Sequence, residues 1–200
     1  MIDHRVDILV ETIPPDVLSA TATATGLSEA AILAIAAIEG GSASKSAVRF
    51  ECHLFNRRSS SGPVPCTVGS IGYSRVRSET DWDAFVRAYS IDQAVAVAVT
   101  SWGAFQVLDP IKLGVASSTA HWLDRWYHED RWGLSFELLT AWLQRHGRAL
   151  QAAKDAEASG GMADHWAEFA RRYNGSGYAK HNYHGKLAEA YQYARSRGGA

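Results

Sequence analysis

The chain has 200 residues, 46% of them hydrophobic and 20% charged, enough for one core of ordinary size and unlike a disordered or fibrous polypeptide. Twenty Lys and Arg against 21 Asp and Glu leave a formal charge of -1, which lacks the basic surplus expected of a nucleic-acid binder. No apolar run reaches the ~18–20 residues that span a bilayer, and the acidic opening Met1-Ile2-Asp3-His4-Arg5-Val6-Asp7 is not a signal peptide's basic-then-apolar order, so a soluble chain without membrane insertion or export signal is expected.

In chain order, Ser28 can cap a helix whose Ile32, Leu33, Ile35 and Ile38 follow helical spacing, with Gly40-Gly41 to stop it. Val48, Phe50, Cys52 and Leu54 then alternate with Arg49, Glu51 and His53, which fits one short strand and equally a helical turn. Ser59 to Pro65 and Gly69 to Ser74 read as a surface loop, not a domain boundary. Cys52 and Cys66 are too few for a disulfide scaffold and form no Cys-x-x-Cys pair, so buried or idle thiols are expected. Thr80-Asp81-Trp82-Asp83 has the capping-box pattern in its Asp form, followed by a stripe of Trp82, Phe85, Val86 and Tyr89. Ser90 with Gln93 opens a nearly all-apolar helix over 91–100, expected to be buried all round. Amphipathic runs follow at 119–128, 135–146, 148–158, 163–172 and 183–195. The fold class is mainly α, one domain over 1–200 with at most a small β-hairpin.

Glu39 carries the most chemistry. It falls in the last turn of the most apolar helix, where apolar surroundings and the negative end of the helix dipole both disfavour its charged form. A carboxyl kept protonated near neutral pH is what protonation of a glycosidic oxygen requires, and Glu51, between apolar neighbours twelve residues on, offers the second acid of a glycosidase pair. Each has a bland alternative, a solvated helix end for the first and a chance pairing for the second. Ser101-Trp102-Gly103-Ala104-Phe105-Gln106 reads on its own as a glycine-relieved turn with aromatic packing, and the Asn-Gly of Tyr173-Asn174-Gly175-Ser176-Gly177-Tyr178 is a routine turn signal. Seven Trp and eight Tyr serve either as packing anchors or as a stacking surface for sugars. His181 and His184 stand at i, i+3 without an evident third ligand, and there is no Gly-rich phosphate loop and no Gly-x-Ser-x-Gly elbow, so neither metal nor cofactor is expected.

Taken together, an apolar helix ending in Glu39-Gly40, then Phe50-Glu51-Cys52-His53, then Ser101-Trp102-Gly103-Ala104-Phe105-Gln106, then Arg172-Tyr173-Asn174-Gly175 resembles the phage-type N-acetylmuramidase family. More widely it is similar to goose-type lysozymes and lytic transglycosylases, and the likeness runs from about Ser28 to Tyr193. The chain departs from the family pattern in a short loop between the two acids and in Cys52, where a basic residue is usual. The resemblance implies a lysozyme-like fold and cleavage of the β-1,4 bond between N-acetylmuramic acid and N-acetylglucosamine. It implies that Glu39 is the general acid, that Glu51 is the second acid, and that Gln106 and Asn174 hydrogen-bond sugar or N-acetyl groups. Trp102, Tyr173 and Tyr178 would shape the cleft, with His53 in support. It further implies a monomeric phage or prophage lysis protein whose partner is the peptidoglycan glycan strand. Such a protein waits in the host cytoplasm until release, or arrives on the virion. Two other readings stand beside it: a lytic transglycosylase giving 1,6-anhydro products, and a non-catalytic wall-binding protein, against which an intact Glu39 weighs.

Overall fold

Helix caps and apolar spacing account for most of the elements. The computed structural model describes residues 2–39, 48–64 and 81–197. In chain order these form α1 (Ile2–Thr12), α2 (Pro15–Thr25), α3 (Glu29–Glu39), β1 (Val48–Phe50), α4 (Cys52–Arg58), α5 (Asp81–Ile91), α6 (Gln93–Ala98), β2 (Thr100–Trp102), β3 (Val107–Leu108), α7 (Thr119–His128), α8 (Arg131–Arg145), α9 (Gly147–Ala158), α10 (Ala163–Asn174) and α11 (Tyr183–Arg197). The architecture is mainly α with a small antiparallel sheet of order β1-β2-β3. Two compact units divide it, one drawn from residues 1–44 and 139–200, the other from 45–138.

In the first unit, α3 is the central helix. Every residue from Ala31 to Ala37 is buried, because a helix apolar on all sides must be covered on all sides, here by α1, α2 and α11. Its start is capped as the sequence indicates: Ser28 Oγ accepts the Ala31 N–H at 3.1 Å. Ser28 in turn gives its own N–H (3.3 Å) and its hydroxyl to Glu157 of α9. The α2 helix, which the apolar pattern does not reveal, starts with Pro15 and stops at Gly26 (φ +68), whose N–H returns to the Ala22 carbonyl at 2.7 Å. A seam of Ala149, Ala152, Ala153 and Ala156 lies buried on α9, which packs against α10, and α10 inserts Trp166 and Phe169 into the core. The Asp7 carboxylate of α1 accepts the Tyr193 hydroxyl (3.0 Å) and pairs with Arg197, tying α1 to α11.

In the second unit, Trp102 faces Val48 on one side and Val107 on the other. The strand-or-helix ambiguity after Val48 resolves into both: three residues of β1, then Glu51 as the residue preceding α4. Asp92, not Ser90, caps α6 by accepting the Val95 N–H at 3.1 Å, so Ser90 stays inside α5 and α6 is shorter than expected. Of the α5 stripe, Phe85 is buried while Val86 is exposed. Ser118 caps α7, and Arg125 of that helix clasps Glu129 and Glu137 while donating to the Val115 carbonyl at 2.6 Å. Cys52 is disulfide-bonded rather than an idle thiol, which corrects the expectation for it. Cys66, Thr80, Gly40-Gly41 and Gly69 to Ser74 lie outside the described residues.

Candidate active site

Glu39 ends α3 and lines a pocket of about 360 Å³ together with Ile2 and Arg5 of α1, Ile38, Asn174, His181, and Tyr183 and Lys186 of α11. The Tyr183 hydroxyl, itself buried, donates to Glu39 Oε1. Burial raises the Glu39 carboxyl above the ordinary carboxylate range, and the Tyr183 hydroxyl offsets part of that rise. The phenols of Tyr173 and Tyr183 are pushed well above their usual range by burial and by the nearby charge of Glu39. Both therefore remain hydroxyl donors at any physiological pH. Tyr173 is held by rings on three sides: Trp142 (4.8 Å between centroids), Phe169 (5.5 Å) and Tyr183, which lies nearly parallel at 6.5 Å. Such a pocket, burial-dominated and backed by phenols, favours the protonated form of the carboxyl over its charged form.

In the second unit, Glu51 is buried, with only 8% of its side chain exposed. One oxygen pairs with Arg49 Nε at 2.9 Å and the other faces His53 Nδ1 at 3.7 Å. Burial raises its carboxyl above the ordinary value, against the pull of Arg49 and His53, and Asp81 adds to the rise. The four residues Gly103 to Gln106 form the hairpin turn between β2 and β3. Gly103 sits at φ +69, and a Cβ there would meet Ser135 Oγ at 2.4 Å. That buried serine accepts the Ala104 N–H at 3.1 Å, so glycine is required both by the backbone and by the close approach of α8. Gln106 holds a left-handed backbone (φ +52) that glycine would normally take, and its Nε2 donates back to the Gly103 carbonyl at 3.0 Å. Among the described residues Asp109 and Asn182 share this uncommon conformation, each at some cost in backbone energy.

A family model described as N-acetylmuramidase matches residues 28–195. The chain belongs to the N-acetylmuramidase family of peptidoglycan hydrolases. Among solved structures it is similar to the crystal structure of Burkholderia AP3 phage endolysin, with a TM-score of 0.69 and 22% identity over 90% of this chain and 70% of that one. Comparison with curated proteins returns no match. On this N-acetylmuramidase scaffold Glu39 and Asn174 share one pocket, with Tyr173 within reach of the acid's charge. Tyr178 does not line that pocket; its ring lies edge-on to His184 at 5.4 Å. His53, half exposed, is placed beside Glu51, and Gln106 lies on the hairpin turn.

Trp102 is a correction. It is fully buried, packed against Phe85, Trp122 and Trp126, and its indole N–H donates to the Val97 carbonyl at 3.1 Å, so it offers no face to a sugar and instead anchors the turn that carries Gln106. Residues that sequence reasoning passed over are Tyr183, Arg5 and Ser135. A tyrosine at the first position of an amphipathic helix and an arginine in the opening helix carry no local signature. Ser135 reads only as the first residue of the amphipathic run 135–146. Among the described residues no three His, Cys, Asp or Glu side chains are grouped to hold a metal ion.

Proposed function

We propose that the chain cleaves the β-1,4 bond between N-acetylmuramic acid and N-acetylglucosamine, with Glu39 protonating the leaving glycosidic oxygen. The observation that carries this reading is the burial of Glu39 in its pocket at the end of an apolar helix, which favours the protonated form that an acid catalyst needs. Tyr183 holds the carboxyl in place through its hydroxyl, and Asn174, on the same pocket, is positioned to hydrogen-bond a sugar or N-acetyl group. Glu51 serves as the second acid of the reaction, positioning a water or stabilising oxocarbenium-like charge, a role that rests on the Phe50-Glu51-Cys52-His53 pattern. Gln106 contacts substrate from its strained turn, and His53 steadies Glu51. The similar solved structure is a phage endolysin, which supports a phage or prophage lysis protein acting on the cell wall. We further propose that it acts as a monomer, held in the host cytoplasm until release or carried on the virion.

The test is lysis of purified cell wall by wild type and Glu39→Gln, with mass spectrometry of the products. The substitution keeps size but cannot donate the proton, so turnover should fall at least ~10²-fold with the far-UV spectrum unchanged. Wild type should release reducing muramic-acid ends. Activity of Glu39→Gln within a few-fold of wild type removes the residue from this role. Mainly 1,6-anhydro products convert the assignment to a lytic transglycosylase, and absence of lysis by wild type leaves a wall binder.

A further inference from the structure

The rim of the Glu39 pocket is basic. Arg5 reaches it from α1, His181 from the turn before α11, and Lys186 from α11, and all three are exposed. Among the described residues none of the three pairs with a carboxylate, although several other arginines do: Arg125 with Glu129 and Glu137, Arg171 and Arg172 with Glu168, and Arg197 with Asp7. The chain has acids enough for further pairs, so three basic groups drawn from separate segments to one cavity are not a by-product of composition. The contact recorded for the Arg5 guanidinium is a single long one, 3.5 Å to the Ala37 carbonyl, which uses one of its five N–H donors.

Nor do these groups serve Glu39 itself. Burial and the Tyr183 hydroxyl set the state of that carboxyl, and a cation within ~4–6 Å would ionise it and defeat an acid catalyst. They line the same pocket, yet burial and the Tyr183 hydroxyl, not a neighbouring cation, govern the acid's shift, which leaves the three groups for an anion that arrives with the ligand. The substrate class differs from neutral N-acetylglucosamine oligomers in one respect relevant here. Muramic acid carries a lactyl carboxyl, and where a stem peptide is attached through that carboxyl the peptide brings carboxylates of its own.

We propose that Arg5, His181 and Lys186 form an anion subsite that takes a carboxylate of the muramic-acid substituent and so selects muramic-acid-bearing strands over neutral N-acetylglucosamine oligomers; this rests on the hydrolase reading above. Arg5 lies ahead of the residues the family model matches, so part of the subsite is supplied by this chain's own opening helix.

The test measures kcat/KM of wild type and the double variant Arg5→Gln/Lys186→Gln on three substrates. These are a chitooligosaccharide, a peptide-free glycan strand that exposes the lactyl carboxylate, and a peptide-bearing strand. The ratio of an anionic substrate over the neutral one should fall at least about tenfold in the variant, the scale of losing one charge-assisted hydrogen bond. Loss confined to the peptide-free strand assigns the lactyl group, and loss confined to the peptide-bearing strand assigns the stem peptide. Parallel loss on all three overturns the subsite and leaves the hydrolase reading standing. A wild type that cleaves none of the three refutes the hydrolase reading instead, and binding then decides the subsite alone. In Glu39→Gln, binding of a peptide-bearing or peptide-free muramic-acid fragment should weaken as salt rises while binding of the chitooligosaccharide does not. Salt-insensitive binding of both muramic-acid fragments overturns the proposal without requiring any rim variant to fold.

Discussion

Gly103→Ala is the sharpest test of how the turn bearing Gln106 is built. The added Cβ faces two penalties. At φ +69 an L-residue pays roughly 1–2 kcal/mol for the left-handed backbone. The Cβ would also stand 2.4 Å from Ser135 Oγ and 3.2 Å from Ser135 Cβ, in a buried place where the serine cannot simply swing into water. Either the contact is tolerated as overpacking, at ~1–3 kcal/mol, or Ser135 turns away and the buried Ala104 N–H loses its acceptor, at about the same cost. The total is roughly 2–5 kcal/mol, which for a chain of this size lowers the melting temperature by about 4–20 °C. Gly133→Ala is the matched control: it lies in α8, its Cβ would meet Asp130 Oδ2 at an ordinary 3.5 Å, and alanine there should be neutral or stabilising by up to about 1 kcal/mol. Thermal melts by circular dichroism read both. A Gly103→Ala protein melting within a degree of wild type would show that the turn is not locked by Ser135 and would refute the reasoning.

Glu39 binds its proton more tightly folded than unfolded, so its stabilising contribution is present below the ordinary carboxylate range and is lost as pH rises through its raised value. Glu39→Gln, which has no proton to lose, should therefore gain in melting temperature relative to wild type between pH 4 and pH 7; a constant difference would contradict the raised carboxyl. Tyr183→Phe removes the hydroxyl that pulls Glu39 down, so the alkaline limb of the lysis profile should move to higher pH, and an unmoved limb would uncouple the two residues. Gln106→Gly and Gln106→Ala lose the same side chain and should lose similar activity, roughly 1–3 kcal/mol of binding or turnover. The glycine variant should melt higher because it relieves the left-handed backbone, and equal melting would deny the strain. Reductant should lower the melting temperature of wild type by an amount equivalent to roughly 2–4 kcal/mol, since Cys52 is cross-linked, and no change would mean that the bond contributes nothing.

The elements legible in the sequence were those with a local signal strong enough to survive tertiary context. Ser28 before α3 and the apolar faces of α7 and α10 are of that kind, each a cap or a periodicity that needs no partner to be recognised. The α2 helix was not legible, because its Ala- and Thr-rich stretch has little apolar contrast and is held by packing on α3. Asp92 displaced Ser90 as a cap because α5 runs on to Ile91, something only three-dimensional packing decides. The site divides the same way. The raised carboxyl of Glu39 was legible from its place at the end of an apolar helix, where burial disfavours the charged form. Trp102 was misread because an aromatic next to a turn looks the same in sequence whether its ring lines a groove or fills a core. Tyr183 and Arg5 act on a pocket formed by segments more than thirty residues from Glu39 in the chain, and no local pattern announces that.

The strap between the first and last helices has a practical side for anyone handling the protein. Asp7 receives Tyr193 and Arg197, and Asp7 lies five residues, about 7.5 Å of helix, from Ile2, which itself lines the Glu39 pocket. A tag or fusion placed ahead of residue 2 therefore emerges beside the pocket, and a bulky one would crowd a glycan strand there. The same spot is a natural doorway for a wall-targeting module on a short linker, which would deliver the strand to the acid rather than to the opposite face.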